Sequence, residues 1–204
     1  MMARVSTRIT THPATPARWN DLEAVFAGKG CSVARGCWCM EYRRTGALAV
    51  PAGMPRAEAN RAALKALVDA GRTPGLIAYR GTEPVGWVSL APREEFLRLA
   101  RSPVMKPVDD APVWSIVCFV VPSAHRGQGV ARALLDAAVA WARQHGAKLV
   151  EAYPVDKRGR SADENMWFGA KSMFDAAGFR EVARRKPARP IVRLPVRPRK
   201  AAPG

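Results

Sequence analysis

CFVVPSAHRGQGVARALL, residues 118–135, is the stretch on which the reading of this chain turns. An apolar run from Trp114 to Val121 stops at Pro122, a glycine-bearing turn follows, and a helix begins near Gly129. A run apolar at nearly every position is what a central strand covered on both faces requires. Val130, Leu134, Ala137, Ala138 and Trp141 then recur at helical spacing, Ala131, Leu135 and Ala142 widen the stripe, and Gly146 ends it. The first amides of such a helix have no intrahelical acceptor, and the helix dipole adds partial positive charge there. Glycines let an anion come close to the backbone. Arg126 contributes a forked, permanently charged donor. Strand, turn and helix together predict a phosphate or diphosphate site.

Working outward, Thr15-Pro16 opens a helical pattern in which Trp19, Leu22, Val25 and Phe26 share a face. Gly28, Gly30 and Gly36 break the next stretch into a loop with a short ordered piece. Pro55 opens a second helix, with Ala59, Ala62, Ala63, Leu67 and Ala70 in register and Gly71 at its end. Leu76–Tyr79 and Val85–Leu90 flank a turn at residues 81–84 and predict a hairpin. Pro92 to Ala100 predicts a short helix, and Val104 to Pro112 a connecting loop. After the long helix come a strand at Lys148–Tyr153, a loop at Pro154–Asp163, a short helix ending at Gly178, and strands at Phe179–Ala183 and Ile191–Val196. The expected fold is a mixed α/β layer structure in a single domain over residues 1–200. Its parts are a variable helical and loop segment at 1–72, a core at 73–197 and a basic tail at 198–204.

The punctuation of the turn narrows the ligand. A nucleotide-triphosphate loop would need Lys-Ser or Lys-Thr after its last glycine. A dinucleotide fold would need an acidic residue about 20 positions on, which here is Glu151 inside a strand. Arg126-Gly127-Gln128-Gly129-Val130-Ala131 instead resembles the acetyl-CoA signature of the GNAT acetyltransferases: Arg or Gln, two residues, Gly, one residue, then Gly or Ala. SMFDAAGFREV, residues 172–182, is similar to the C-terminal helix and following strand of that superfamily. The resemblance runs from about Leu76 to Val196.

It implies a mostly antiparallel central sheet flanked by helices, with the fourth and fifth strands splayed apart. It also implies acetyl-CoA as co-substrate, with transfer of its acetyl group to an amine by direct attack in a ternary complex. Phe119, Val120 and Val121 would then meet the pantetheine arm through main-chain groups, and Arg126, Gly127, Gln128, Gly129, Val130 and Ala131 would take the pyrophosphate. Arg132 and Lys171 could assist. The fourth strand carries no carboxylate, which leaves Glu151 as the candidate base, equally readable as a strand-end acid paired to Arg or Lys. Many relatives place Tyr four residues before the Gly-Phe pair, where this chain has Phe174, so Tyr153, Ser172 or water must supply any proton. Trp167 stands where relatives often have Asn, and Asn165 is two positions away. Trp38, Met40 and Trp87, with Trp114 near, are candidates for an apolar acceptor slot, their alternative being the core. Glu41 could attract a cationic amine.

The totals set limits on these readings. No apolar run approaches the roughly 20 residues that a bilayer span needs. The first residues carry no apolar stretch of the secretory kind, so a cytoplasmic location is expected. The net charge of +16 suits an anionic cofactor, but eight basic residues and four prolines fall between Arg184 and Lys200. That stretch is read as a solvated tail with one strand in it. Cys31, Cys37 and Cys39 cluster, yet a second close pair is missing and the histidines are distant, so reduced thiols beside a pocket are expected, with no metal. The acceptor class is a small-molecule or peptide amine, and a homodimer is compatible with the resemblance. Two alternatives stand beside the enzyme: a GNAT fold that binds acetyl-CoA without turnover, and a nucleic-acid-associated protein acting through its basic tail, which no recognition motif supports.

Overall fold

The apolar run at Trp114 forms the middle of a seven-stranded sheet of order β1-β2-β3-β4-β5-β7-β6. The computed structural model describes residues 8–44, 50, 53–156 and 166–196. The strands are β1 (Ile9–Pro13), β2 (Gly75–Arg80), β3 (Glu83–Pro92), β4 (Trp114–Val120), β5 (Leu149–Ala152), β6 (Arg180–Lys186) and β7 (Arg189–Pro195). All neighbours are antiparallel except β4 and β5, which the helix α4 (Val130–Gln144) connects. The remaining helices are α1 (Trp19–Ala27), α2 (Ser32–Cys37), α3 (Arg56–Asp69) and α5 (Lys171–Ala176).

Two cores cover the two faces of this sheet. On one side α4 lays Val130, Leu134, Leu135 and Ala138 over Leu76, Val88, Ile116 and Phe119, with Phe174 of α5 beside them. On the other, Trp19, Leu22, Val25 and Phe26 of α1 and Leu64 and Val68 of α3 meet Ile77, Tyr79, Trp87 and Val120. Leu76, Ile77, Ala78 and Tyr79 alternate strictly between the two, as the strand period of two dictates. Each large apolar side chain buried this way contributes about 1.5–3 kcal/mol.

Strand β4 breaks that alternation at the place that matters. Leu90 pairs with Ile116 and Ser89 with Cys118, so Val117 is one residue extra. Val117 and Cys118 therefore face the same side, while Ile116 and Phe119 face α4. The pairing with β5 ends at the same point: Trp114, Ser115 and Ile116 pair with Val150, Glu151 and Ala152, and Val117 to Val120 have no β5 partner.

Several sequence expectations change here. Strand β1 was not expected, because a five-residue run of Ile, Thr, Thr, His and Pro carries little apolar signal; it is an edge strand held by register with β2. Pro92 to Ala100 is a 3-10 turn at Arg93–Glu95 followed by further turns. The basic stretch from Arg184 is not a tail as far as Val196: it completes the β6–β7 hairpin, and β7 lies inside the sheet between β5 and β6. The tail at 198–204 and Asn165 lie outside the described residues.

The closed half of the β4–β5 junction carries a polar knot. Glu151 is fully buried, accepts from Arg193 Nε at 2.8 Å and from the Tyr153 hydroxyl at 2.7 Å, and has Arg93 at 3.7 Å. Tyr153 also meets Ser115 Oγ at 3.0 Å, and Arg193 forks onto Asp109 at 2.7 and 3.0 Å. Burial, then the Glu151 charge, drives the Tyr153 phenol well above its ordinary range, so it stays a donor. Removing one partner of a buried pair leaves the other uncompensated, at about 3–5 kcal/mol. Arg193→Met is therefore expected to lower the thermal midpoint by about 10 °C. Asp109→Asn, at a half-exposed carboxylate, should move it much less. Equal shifts in a melting experiment would contradict this account of the knot.

Candidate active site

Where β4 leaves β5, a cavity of about 700 Å³ opens. That is within the range of roughly 300–1,000 Å³ typical of small-molecule and cofactor sites. One wall is Val117 to Val121, and the opposite wall is Met166, Trp167, Gly169, Ala170 and Met173. One end is the turn into α4, and the other is built from α2 and the residues after it.

The turn end has the form that the sequence predicts. Gly127 and Gly129 have φ of +70° and +81°, a left-handed conformation that disfavours side chains, and Gly129 is the cap residue of α4. The first-turn amides of α4 consequently point along the helix axis without intrahelical acceptors. Of the nine residues predicted for the cofactor, Phe119, Val120, Val121, Arg126, Gly127, Gly129, Val130 and Ala131 line the cavity. Gln128 does not; it accepts from Arg80 at 2.7 Å and donates to the Ala124 carbonyl.

Arg126 does something the sequence did not suggest. Its Nε donates to the Val121 carbonyl at 2.9 Å and its Nη2 to the Gly30 carbonyl at 2.8 Å. The guanidinium thereby ties the end of β4 to the loop between α1 and α2. Ser123 N–H donates to the Lys29 carbonyl at 2.8 Å across the same seam. A side chain at Gly28 would begin 2.7 Å from Pro122, which is why that approach needs glycine. Arg132 lines the cavity while paired with Asp136, and Lys171 pairs with Asp175.

The main-chain groups along β4 are not equivalent. Phe119 N–H is taken by the Trp167 carbonyl at 2.6 Å, so the segment after residue 165 rests on the open edge of the strand. Val121 N–H has no hydrogen-bond partner among the described residues, which makes it the donor available at this level.

The α2 end differs most from the sequence reading. Trp38 and Cys39 both take left-handed backbone, with φ of +46° and +51°. The reversal drives Trp38 into the core, stacked on Phe26 at 4.6 Å and on Trp19 at 6.1 Å. Met40 and Trp87 are core as well, so none of the three predicted slot residues lines the cavity. Trp114 packs near His145, 5.9 Å away. Glu151 and Tyr153 are likewise absent from the lining, being committed to the knot described above. Phe174 packs between Phe119 and Phe179, and Ser172 is exposed.

What the cavity does receive is Glu41, Tyr42 and every cysteine of the chain: Cys31, Cys37, Cys39 and Cys118. Glu41 is the single carboxylate among the described lining residues and is held by Arg56 at 3.0 Å and by Arg98. The hydrogen bond to Cys39, then burial, pushes the Cys37 thiol far up, the hydrogen bond to Cys118 does the same to Cys39, and burial raises Cys31. All three are protonated at neutral pH and are poor nucleophiles. Among the described residues no group of three or more His, Cys, Asp or Glu is arranged to hold a metal ion. Glu41 was legible as an acid beside the thiol cluster; Cys118 and Met173 had no sequence signal linking them to it.

The model of the acetyltransferase (GNAT) family matches residues 40–163. No curated protein matches significantly. Solved structures do match in fold. A protein assigned to the GNAT acetyltransferases of Desulfovibrio desulfuricans is 15% identical, with a TM-score of 0.53 over 92% of this chain and 99% of that one. The PaiA N-acetyltransferase of Thermoplasma acidophilum, solved with coenzyme A, is 13% identical, with a TM-score of 0.52 over 93% and 99%. YncA of Salmonella typhimurium, solved with acetyl-CoA, is 16% identical, with a TM-score of 0.52 over 95% and 96%. With more than half of its length matched by the family model, on a sheet that opens between β4 and β5 above a glycine-capped helix, this chain belongs to the GNAT acetyltransferase family.

Proposed function

We propose that this protein transfers the acetyl group of acetyl-CoA to the amine of a small molecule or peptide, by direct attack. The observation that carries the reading is the continuity of the cavity from the glycine turn of α4, along the unpaired half of β4, to Glu41. The residues present fit acetyl-CoA: left-handed glycines and open helix-start amides suit a pyrophosphate, and the free Val121 amide suits a carbonyl oxygen. Bound there, acetyl-CoA supplies an activated acetyl thioester.

The chain contributes the rest. Gly127, Gly129, Val130 and Ala131 hold negative charge at the helix start. Val121 N–H is placed to polarise a carbonyl lying along β4. Glu41 takes the proton that the incoming ammonium must lose to become an attacking amine, directly or through one water. Arg98 and Arg56 hold its carboxylate at the mouth. The apolar walls exclude water and fix the reactants side by side, which supplies much of the rate in such reactions. No phenol stands at the Phe174 position, so the departing thiol group draws its proton from solvent or from the attacking amine.

Gly129→Val would force a β-branched residue into left-handed backbone, so affinity for acetyl-CoA should fall at least about ten-fold in calorimetric titration. Wild-type affinity in a folded variant would remove the turn from the pyrophosphate site. Glu41→Gln should lower kcat/KM by about 10²-fold or more in a free-thiol release assay, with acetyl-CoA affinity kept within about two-fold. An unchanged rate would take the proton away from Glu41. If the wild type binds acetyl-CoA and acetylates no amine across a broad panel, the binding-protein reading replaces this one.

A further inference from the structure

The chain is strongly cationic. Among the described residues, each arginine or lysine that lacks a hydrogen bond or ion pair is exposed, with one exception. Arg189 is half-buried, and its guanidinium has neither, only the face of Phe168 at 4.0 Å. A cation on an aromatic face gains roughly 0.5–2 kcal/mol, and losing water removes much of that. Each of the enclosed guanidinium groups Arg43, Arg44 and Arg193 holds at least one side-chain acceptor, even where a single nitrogen is left over: Arg43 holds Glu95, Arg44 holds Asn60, and Arg193 holds Glu151 and Asp109.

Arg189 lies behind the cavity wall on the Tyr42 side, and is not itself one of the lining residues. It begins β7, directly after a turn whose Ala188 carbonyl accepts from Asp156 N–H at 2.9 Å. The Phe168 ring beneath it follows Trp167, the residue hydrogen-bonded to β4, and lies 5.7 Å from the ring of Tyr42. Tyr42 lines the cavity next to Glu41. Its hydroxyl is unpartnered among the described residues, whereas Tyr79 and Tyr153 each bond a carboxylate. Burial pushes the Tyr42 phenol up to about 12 while the nearby Arg189 charge opposes this, so the group stays a hydrogen-bond donor. Two idle donors, one of them cationic, thus lie next to each other, and one of them, Tyr42, adjoins Glu41, the single carboxylate among the described lining residues.

We propose that Arg189 and Tyr42 bind a carboxylate carried by the acceptor, so that the substrate class is a zwitterionic amine of the amino-acid type, its ammonium toward Glu41. A guanidinium is suited to this because its fork matches two carboxylate oxygens. The assignment of an amine acceptor rests on the acetyl-transfer reading above; the anion site itself does not.

The test uses the full chain with a panel of common amino acids and their carboxamides. Acetylation is read by thiol release, and binding to the protein–CoA complex by calorimetry. The carboxylate forms are expected to exceed their amides at least ten-fold in kcat/KM, although the amides have the more available free amine. Arg189→Gln should erase that preference, Arg189→Lys should restore part of it, and Tyr42→Phe should weaken it, all with acetyl-CoA affinity unchanged. Amides turned over as well as acids by the wild type would overturn the proposal, as would a variant that loses both equally. Amino acids that bind the CoA complex through Arg189 yet are never acetylated would support the anion site and refute acetyl transfer. Amides acetylated while amino acids neither bind nor react would refute the anion site alone.

Discussion

The site depends on the short reach of the parallel pairing between β4 and β5. Three residue pairs join the strands, and then Val117 enters β4 as a bulge. A bulge bends its strand and increases its twist, so β4 turns away where β5 reaches its last residue, Ala152. The gap removes a hydrogen-bonding partner from the second half of β4 and supplies the space of the cavity in one move. It also sets two consecutive residues, Val117 and Cys118, on one face, which brings a thiol to the wall that would otherwise be turned toward α4.

A gap of this kind tends to close, since unpaired backbone and apolar walls favour collapse. Two devices oppose closure. On the paired side, Glu151, Arg193, Tyr153 and Ser115, with the half-exposed Asp109, tie β5, β7, β4 and the loop before β4 into one unit. On the open side, Arg126 braces the end of β4 against Gly30, and Trp167 caps Phe119. The buried acid and the signature arginine are thus both used as supports, and the chemistry is left to groups that the supports position.

This division explains what could be read from the sequence. The strand, turn and long helix around Gly129 were legible because apolar period, glycine punctuation and helix length agree there. The two cores followed from the same periodicities. Strand β1 and the inner position of β7 were not legible, because they depend on pairing with distant partners and carry few apolar residues. The acceptor end was misassigned for a specific reason: Trp38 and Cys39 adopt left-handed backbone, which no residue type there announces. That reversal exchanges the faces, so the aromatic goes to the core and the thiols to the cavity. Glu151 was a fair candidate by elimination, but its partner Arg193 lies 42 residues further along the chain, and Arg93 reaches it from well before it.

The thiols bear on mechanism through what they cannot do. A relay in which a cysteine first accepts the acetyl group would need a thiolate beside β4. Cys37 and Cys39 are instead held protonated by their hydrogen bonds along the cluster to Cys118 and by burial. Burial likewise outweighs the lowering influence of Arg126 and Arg35 on Cys31. Protonated thiols behave as small apolar groups with weak donors. Cys31, Cys37 and Cys39 in that state therefore give the α2 end of the cavity an apolar wall beside Glu41. In the proposed reaction, direct attack by an amine needs no acid at the Phe174 position, where a core phenylalanine stands.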